Sequence, residues 1–86
     1  IENAYSILNG EYEIIEAEII ETSELVNKEL KNSNLPDEIR IGAVLRGEEV
    51  IIPRSNFVFK KEDIVVLLAN KDFLHVVENM FRISSI

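Results

Sequence analysis

The stretch that decides the fold is residues 39–54, which read IRIGAVLRGEEVIIPR. Gly47-Glu48 at its centre is a two-residue turn with glycine first, the composition of a type II′ β-hairpin. This turn fixes the pairing of the two flanking strands and sets Leu45 opposite Val50. Alternation along the first strand then predicts one face that points into the core, formed by Ile39, Ile41, Ala43 and Leu45.

A second hairpin is predicted near the start, where Asn9-Gly10 lies between two strand-like runs, 2–8 and 11–20. Asn and Gly tolerate the positive φ angles that a type I′ turn requires at both of its central positions. Alternation in the second run predicts an inward-facing set of Ile15, Ala17 and Ile19. Because the acidic residues before Ile15 fall on the inward parity, we expect either a bulge near Ile14 or a half-strand exposed on both sides.

The remaining patterns predict one more strand and two helices. Six unbroken apolar residues, 64–69, are typical of a central strand that is buried on both faces. Thr22-Ser23 supplies N-cap oxygens ahead of a helix over 24–31, and Asn70 or Asp72 can cap a second helix over 71–81. The order β-β-α-β-β-β-α predicts an α+β domain, a mainly antiparallel sheet with two helices packed on it.

The composition bounds the class of protein. A length of 86 residues suits one small domain, and 47% apolar residues with 3 Gly and 2 Pro exclude a disordered tail. The net charge of −7, all of it carried by residues 1–27, argues against binding to nucleic acid. The longest uncharged stretch, residues 3–10, is too short to span a bilayer, so no direct membrane insertion is expected. The chain begins with Ile1 instead of Met, so we expect a piece of a longer polypeptide.

Residues that could carry catalysis are scarce. The chain has no cysteine and one histidine, His75, whose charged helical neighbours are typical of a solvated side chain. Its three glycines form neither of the phosphate-binding motifs GxGxxG and GxxxxGK[ST]. Glu16 and Glu18 share a strand face and could hold a hard cation such as Ca²⁺, although a solvated outer face is the more ordinary interpretation. We therefore predict no enzymatic activity, no catalytic residue, no metal site and no cofactor in this chain.

Three arginines are candidate ligand-binding residues. Arg40 and Arg46 share one strand parity with Gly42 between them, and Arg54 ends the partner strand. Guanidinium groups suit phosphate and carboxylate groups, so the three residues could bind a small anion. The alternative is a set of ordinary surface ion pairs, such as Arg46 with Glu49, which are common and weak.

Two apolar residues are candidates for a dimer interface. Val44 and Ile51 lie opposite each other on the hairpin face that the alternation directs away from the core. Exposed apolar patches of this kind mark interaction surfaces, and two short helices cannot shield both faces of a five-stranded sheet. We therefore expect a second copy of the chain to cover them.

From Leu35 to Pro53 the sequence resembles the TrkA-C (RCK-C) domain, the C-terminal domain of proteins that regulate potassium conductance and uptake. Further segments agree in order: an opening strand at 12–20, a small-x-Leu-Val start at 23–26, a turn into the last strand at 59–66, and a closing helix at 72–81. The resemblance implies one TrkA-C-like regulatory domain over residues 11–86. Residues 1–10 would be a leading strand or linker from an upstream region. Glu62 stands where the family usually has glycine.

The resemblance also implies a function and its partners. Such domains regulate potassium transporters or channels from the cytoplasm, peripheral to the inner face of the membrane, and pair as dimers within a gating ring. They typically follow a Rossmann-like TrkA-N lobe, on the same or a separate chain, which could carry NAD or ATP. The Asp-x-Arg and Asn-Ile arrangement with which some members bind cyclic di-AMP is not found near residues 35–41, so that ligand is not implied. The alternative function is a sensor of a small anionic ligand, such as a nucleotide, in another cation or solute transporter.

Overall fold

The computed structural model describes residues 2–81, whose five strands form a single antiparallel sheet. In chain order these elements are β1 (Asn3–Ile7), β2 (Tyr12–Glu18), β3 (Ile39–Arg46), β4 (Glu49–Ile51), β5 (Ile64–Asn70) and the helix α1 (Leu74–Phe81). The spatial order of the strands is β1-β2-β5-β3-β4. The predicted α+β class with an antiparallel sheet is confirmed, but the described residues contain one α-helix where two were predicted.

The run of branched apolar residues in β5 makes it the central strand, as its sequence predicts. It pairs with β2 on one side and β3 on the other. Val65, Leu67 and Ala69 point to the face that α1 covers and are at most 1% exposed. The core lies on this inner face, where Val77, Met80 and Phe81 of α1 join Ile15, Ala17, Ile19, Leu25, Ile39, Val44 and Phe59.

The β3–β4 hairpin has the predicted register, but β3 changes face partway along. Leu45 pairs with Val50 across the two-residue turn, as the sequence predicts. A register shift between Ile41 and Ala43 against β5 marks a β-bulge, however, which inverts the alternation of the residues beyond it. Ala43 and Leu45 therefore lie on the outer face of the sheet, and their prediction as core residues is wrong.

The β1–β2 hairpin is also present, with the predicted turn at Asn9-Gly10. Asn9 (φ +56, ψ +34) and Gly10 (φ +86) have the positive φ angles of a type I′ turn, and the Glu11 N–H donates to the Leu8 carbonyl at 3.1 Å. The regular strands end one residue further from the turn on each side, where Ile7 pairs with Tyr12. Leu8, Asn9 and Gly10 all have positive φ. The register of β2 runs without a shift against both of its neighbours, so the first of the two alternatives for this strand, a bulge near Ile14, is absent.

The helix predicted over 24–31 does not form. Residues 21–27 make turns, and Asn27 at φ +65 has left-handed backbone geometry that interrupts a helix. Tertiary partners take up the backbone N–H groups that a helix would have used: Asn27 donates to the Phe59 carbonyl and Leu30 to the Phe57 carbonyl. Only a short 3₁₀ turn, Leu30–Asn32, remains.

The C-terminal helix is present, preceded by a 3₁₀ turn at Lys71–Phe73. Asn70 Oδ1 accepts a hydrogen bond of 2.9 Å from the Asp72 N–H, so Asn70 is the cap, one of the two predicted. At the other end, Ser23 Oγ donates to the Met80 carbonyl at 3.0 Å and so ties the preceding loop to the helix. No helix among residues 2–81 is long and apolar enough to cross a bilayer.

Candidate functional site

The outer face of the sheet, opposite α1, is an apolar surface spread over all five strands. Residues paired across an antiparallel sheet point to the same side, so the registers place Tyr5, Ile14, Leu68 and Arg40 in one row. The neighbouring rows contribute Val66, Ala43, Ile64, Leu45 and Val50. Several of these side chains are freely accessible, with Val50 66%, Tyr5 57% and Ile14 36% exposed. An apolar face of this kind is typical of an interaction surface.

The charged residues of this outer face are divided between its two sides. Glu16 and Glu18 lie on β2, and Arg40 lies on β3, with the apolar β5 between them. Glu16 Oε1 accepts a hydrogen bond of 3.0 Å from Asn3 Nδ2. The Arg40 guanidinium lies 3.9 Å from the Asp37 carboxylate, and both side chains are largely solvent-exposed. Such a pair is weak, so Arg40 remains available to a further anion.

A cavity of about 400 Å³ lies on the outer face at the bulge of β3. Its walls are almost entirely apolar and include Ile7, Ile14 and Leu68, with Gly42 at the bulge and Arg40 as the charged residue. A second cavity of about 230 Å³ is lined by Leu30, Leu35, Pro36 and Ile39 together with Arg40 and Ile41. Arg40 therefore contributes to both cavities.

Arg46, predicted to share a face with Arg40, lies on the opposite side of the sheet because of the bulge. Its Nε and one terminal nitrogen donate to the two oxygens of Asp63 at 2.8 Å each. The same terminal nitrogen donates to the Val58 carbonyl at 2.9 Å, and the guanidinium lies 4.9 Å from the centre of the Phe57 ring. The hydrogen bond with Asp63 raises the pKa of Arg46 against the opposing effect of burial. Arg46 is thus occupied by an internal ion pair instead of forming an anion site with Arg40.

The other predicted site residues are also separated. Arg54 is exposed in the segment that follows β4 and lines neither of the two cavities. Val44 is fully buried opposite Val65, and Ile51 packs against the same core. The expectation that Val44 and Ile51 face away from the core is therefore wrong, and the bulge is the reason.

The candidates for catalysis and metal binding do not come together. His75 is exposed on α1. Among residues 2–81, no three or more His, Cys, Asp or Glu side chains are grouped so that they could hold a metal ion.

The outer face as a whole was not predicted from the sequence. The signal was present in the alternation of Tyr5 and Ile7 in β1 and of Tyr12 and Ile14 in β2, which places these apolar residues on the face that the glutamates also occupy. Asp63 was missed as well, because it was assigned only to a turn.

Comparisons with known proteins agree with this fold. The family model of the TrkA-C domain matches residues 14–82. The chain is 43% identical over 84 residues to the Trk system potassium uptake protein TrkA of Azorhizobium caulinodans, and 36% identical over 86 residues to that of Vibrio alginolyticus. These matches cover 98% and 95% of this chain but only 18% and 19% of the relatives' length. A solved structure described as "Structure of RCK domain with cda" has a TM-score of 0.61 at 18% identity, and covers 74% of this chain and 90% of its own.

Proposed function

This chain belongs to the TrkA-C domain family, and we propose from that membership that it is a non-catalytic regulatory domain of a potassium uptake system. Its own contribution is to hold two copies together through the outer face of the sheet. Both relatives described above carry the name of a Trk potassium uptake protein, and the match spans nearly all of this chain. The family relationship supports a role in potassium uptake, and the geometry of the sheet supports the pairing of two copies.

The observation that carries the assembly role is the apolar outer face. Its row of Tyr5, Ile14 and Leu68 would be in contact with water in an isolated chain. Burial of apolar surface stabilises an interface by roughly 25 cal/mol per Å², and a stable interface buries about 800 Å² on each partner. A face that extends across five strands offers a continuous surface for such an interface.

The charges of the outer face suit a second copy. A two-fold axis that runs parallel to β5, between two facing sheets, places β2 of one copy over β3 of the other. Arg40 of each copy, in the row of Leu68, then lies one row of side chains from Glu16 of its partner, in the row of Val66. The apolar β5 strands face each other in the middle. Opposite charges across an interface fix its register, so the same pattern serves both copies.

A dimer of this kind can regulate a transporter when it has two arrangements. An effector or partner shifts such an equilibrium only if it binds one arrangement more tightly than the other. We assign the domain to the cytoplasmic side of a membrane, beneath a potassium transporter or channel subunit and within a larger ring. A Rossmann-like TrkA-N lobe would be its neighbour and could carry NAD or ATP.

Sedimentation of the chain over a range of concentrations tests the assembly role. We expect the parent, purified without refolding, to form a dimer. Leu68→Glu, purified in the same way, should sediment as a monomer because it places a charge at the centre of the outer face. Lys60→Glu, an exposed change outside the sheet, is the matched control and should remain dimeric. A parent that stays monomeric at high micromolar concentration would refute the assembly role.

A second candidate function is the binding of a small anionic effector with an apolar portion. The position of Arg40 at both cavities favours it, because one guanidinium could hold the anion while the apolar walls accept the rest. Ligands that bind the folded state raise the melting temperature by mass action. A panel of nucleotides should therefore contain a compound that stabilises the parent and the Arg54→Gln control but not Arg40→Gln. An unchanged melting temperature across the panel would refute the effector site, and the assembly role would be the one remaining candidate.

A further inference from the structure

Strand β1 is attached to the rest of the sheet along one edge. Among residues 2–81 it is the first strand in the spatial order and pairs only with β2, through five residue pairs from Asn3–Glu16 to Ile7–Tyr12. Four of its five side chains are exposed and the fifth, Ile7, is half-buried. Backbone hydrogen bonds therefore hold β1 in place, with little help from apolar burial.

The loop that joins β1 to β2 has an unfavourable backbone conformation. Leu8 and Asn9 have φ angles of +50 and +56, in the left-handed region that bulky L-residues avoid. Asn tolerates this region, but leucine does not, and the Leu8 side chain is 68% exposed. Neither packing nor intrinsic preference accounts for leucine at this position.

The β3–β4 turn of the same sheet provides an internal comparison. There the positive φ belongs to Gly47, at +61, which has no side chain to clash. Each hairpin includes an edge strand of the sheet, β1 in one and β4 in the other. Of their two turns, the β1–β2 loop is the one that places a leucine in left-handed geometry.

We propose that β1 is an exchangeable strand, which leaves its own β2 and pairs with β2 of a second copy. In the exchanged dimer the five pairs between β1 and β2 are reproduced, because the incoming strand has the same sequence. The loop at 8–11 then runs on as an extended segment, and Leu8 returns to the β region. Strained hinge loops favour such exchange because the strain is present only in the closed form.

The exchange uses the edge of β2 and not the outer face of the sheet, so it is independent of the proposed face-to-face dimer. A second copy is the occupant that the structure favours. Any other strand would have to match the residues of β2 as well as β1 does, including the hydrogen bond from Asn3 to Glu16.

A disulfide across the hairpin tests the exchange. The chain has no cysteine, and Asn3 and Glu16 lie directly opposite each other across the hairpin, so Asn3→Cys/Glu16→Cys introduces a unique bond. Equal amounts of ¹⁵N-labelled and unlabelled variant are unfolded, refolded together at high concentration and oxidised. We expect a covalent dimer on a non-reducing gel, in which mass spectrometry finds position 3 of labelled chains linked to position 16 of unlabelled ones.

Two control variants complete the experiment. Leu45→Cys/Val50→Cys spans the hairpin with the glycine turn and should give bonds within one chain. Leu8→Gly in the first variant relieves the strain and should lower the covalent dimer at least twofold. Bonds only within single chains, in protein with a cooperative melting transition before oxidation, would overturn the exchange. If the protein sediments as a dimer but its disulfides lie within single chains, the face-to-face dimer is supported and the strand exchange is refuted. The two proposals can therefore fail separately.

Discussion

Arg46 and Asp63 form a bidentate ion pair that joins the end of β3 to the turn before β5, with both hydrogen bonds at 2.8 Å. The carboxylate is the buried partner, with a side-chain exposure of 2% against 38% for the arginine. It also accepts a hydrogen bond of 2.8 Å from the Lys60 N–H, which closes the turn. The buried carboxylate of Asp63 thus joins the turn before β5 to Arg46 at the end of β3.

Replacement of Asp63 by alanine should destabilise the domain by about 2–4 kcal/mol. The substitution removes the acceptor of the Lys60 N–H and leaves the Arg46 guanidinium without its counter-charge. Urea unfolding, monitored by circular dichroism, measures the loss. Asp37→Ala is the matched control, because its pair with Arg40 spans 3.9 Å and both side chains are exposed. Equal stability of the two variants would show that the buried pair contributes nothing.

Arg46→Lys should lower stability by about 1–2 kcal/mol, because an ammonium cannot donate in the bidentate geometry or stack on Phe57. The pH dependence has a definite sign. Because folding raises the pKa of Arg46, the arginine contributes fully to the free energy of unfolding at every pH below the ordinary arginine pKa. That contribution is lost only as the pH rises above the raised pKa. Lysine titrates near pH 10.4, so the difference in unfolding free energy between parent and variant should widen above about pH 10. A constant difference from pH 7 to pH 11 would contradict this assignment.

Val44→Ala should cost about 2–3 kcal/mol of stability, because it leaves a cavity opposite Val65 in the core. Val50→Ala, on the outer face of the neighbouring strand and 66% exposed, should change stability by less than about 0.5 kcal/mol. Chemical unfolding of both variants at low protein concentration makes the comparison. If Val44→Ala were neutral and instead weakened association, Val44 would belong to an interface after all.

The sequence predicted strand pairing well wherever a turn determined it. Gly47-Glu48 fixes the register between β3 and β4, and the unbroken apolar run identifies β5 as the central strand. The assignment of faces along β3 was correct as far as Ile41 and inverted beyond it. Glycine in the interior of a strand often marks a bulge, so Gly42 was a local signal that the simple alternation did not take into account. Because the alternation inverts at the bulge, the prediction placed Arg46 and Val44 on the opposite side of the sheet from the one they occupy.

The false helix over 24–31 has a different cause. Its sequence carries a cap, a favourable charge distribution and a short apolar stripe, all of which favour a helix locally. Backbone partners that are distant in sequence, Met80 and Phe59, bind the N–H groups of Glu24 and Asn27 instead. Contacts of this kind depend on the whole fold, and propensity is a weak guide where they compete.

Reversal of charge at Arg40 tests the symmetry proposed for the face-to-face dimer. With β2 of one copy over β3 of the other, Arg40→Glu brings like charges together and should raise the dissociation constant about tenfold, equivalent to roughly 1.4 kcal/mol. Glu16→Arg should weaken association to a similar extent, and the double variant should recover most of the loss because each new pair is again opposite in sign. Sedimentation at several concentrations measures all three, with Arg54→Glu as the control for net charge. A double variant whose loss equals the sum of the two single losses would show that the positions do not meet, and would exclude an axis parallel to β5.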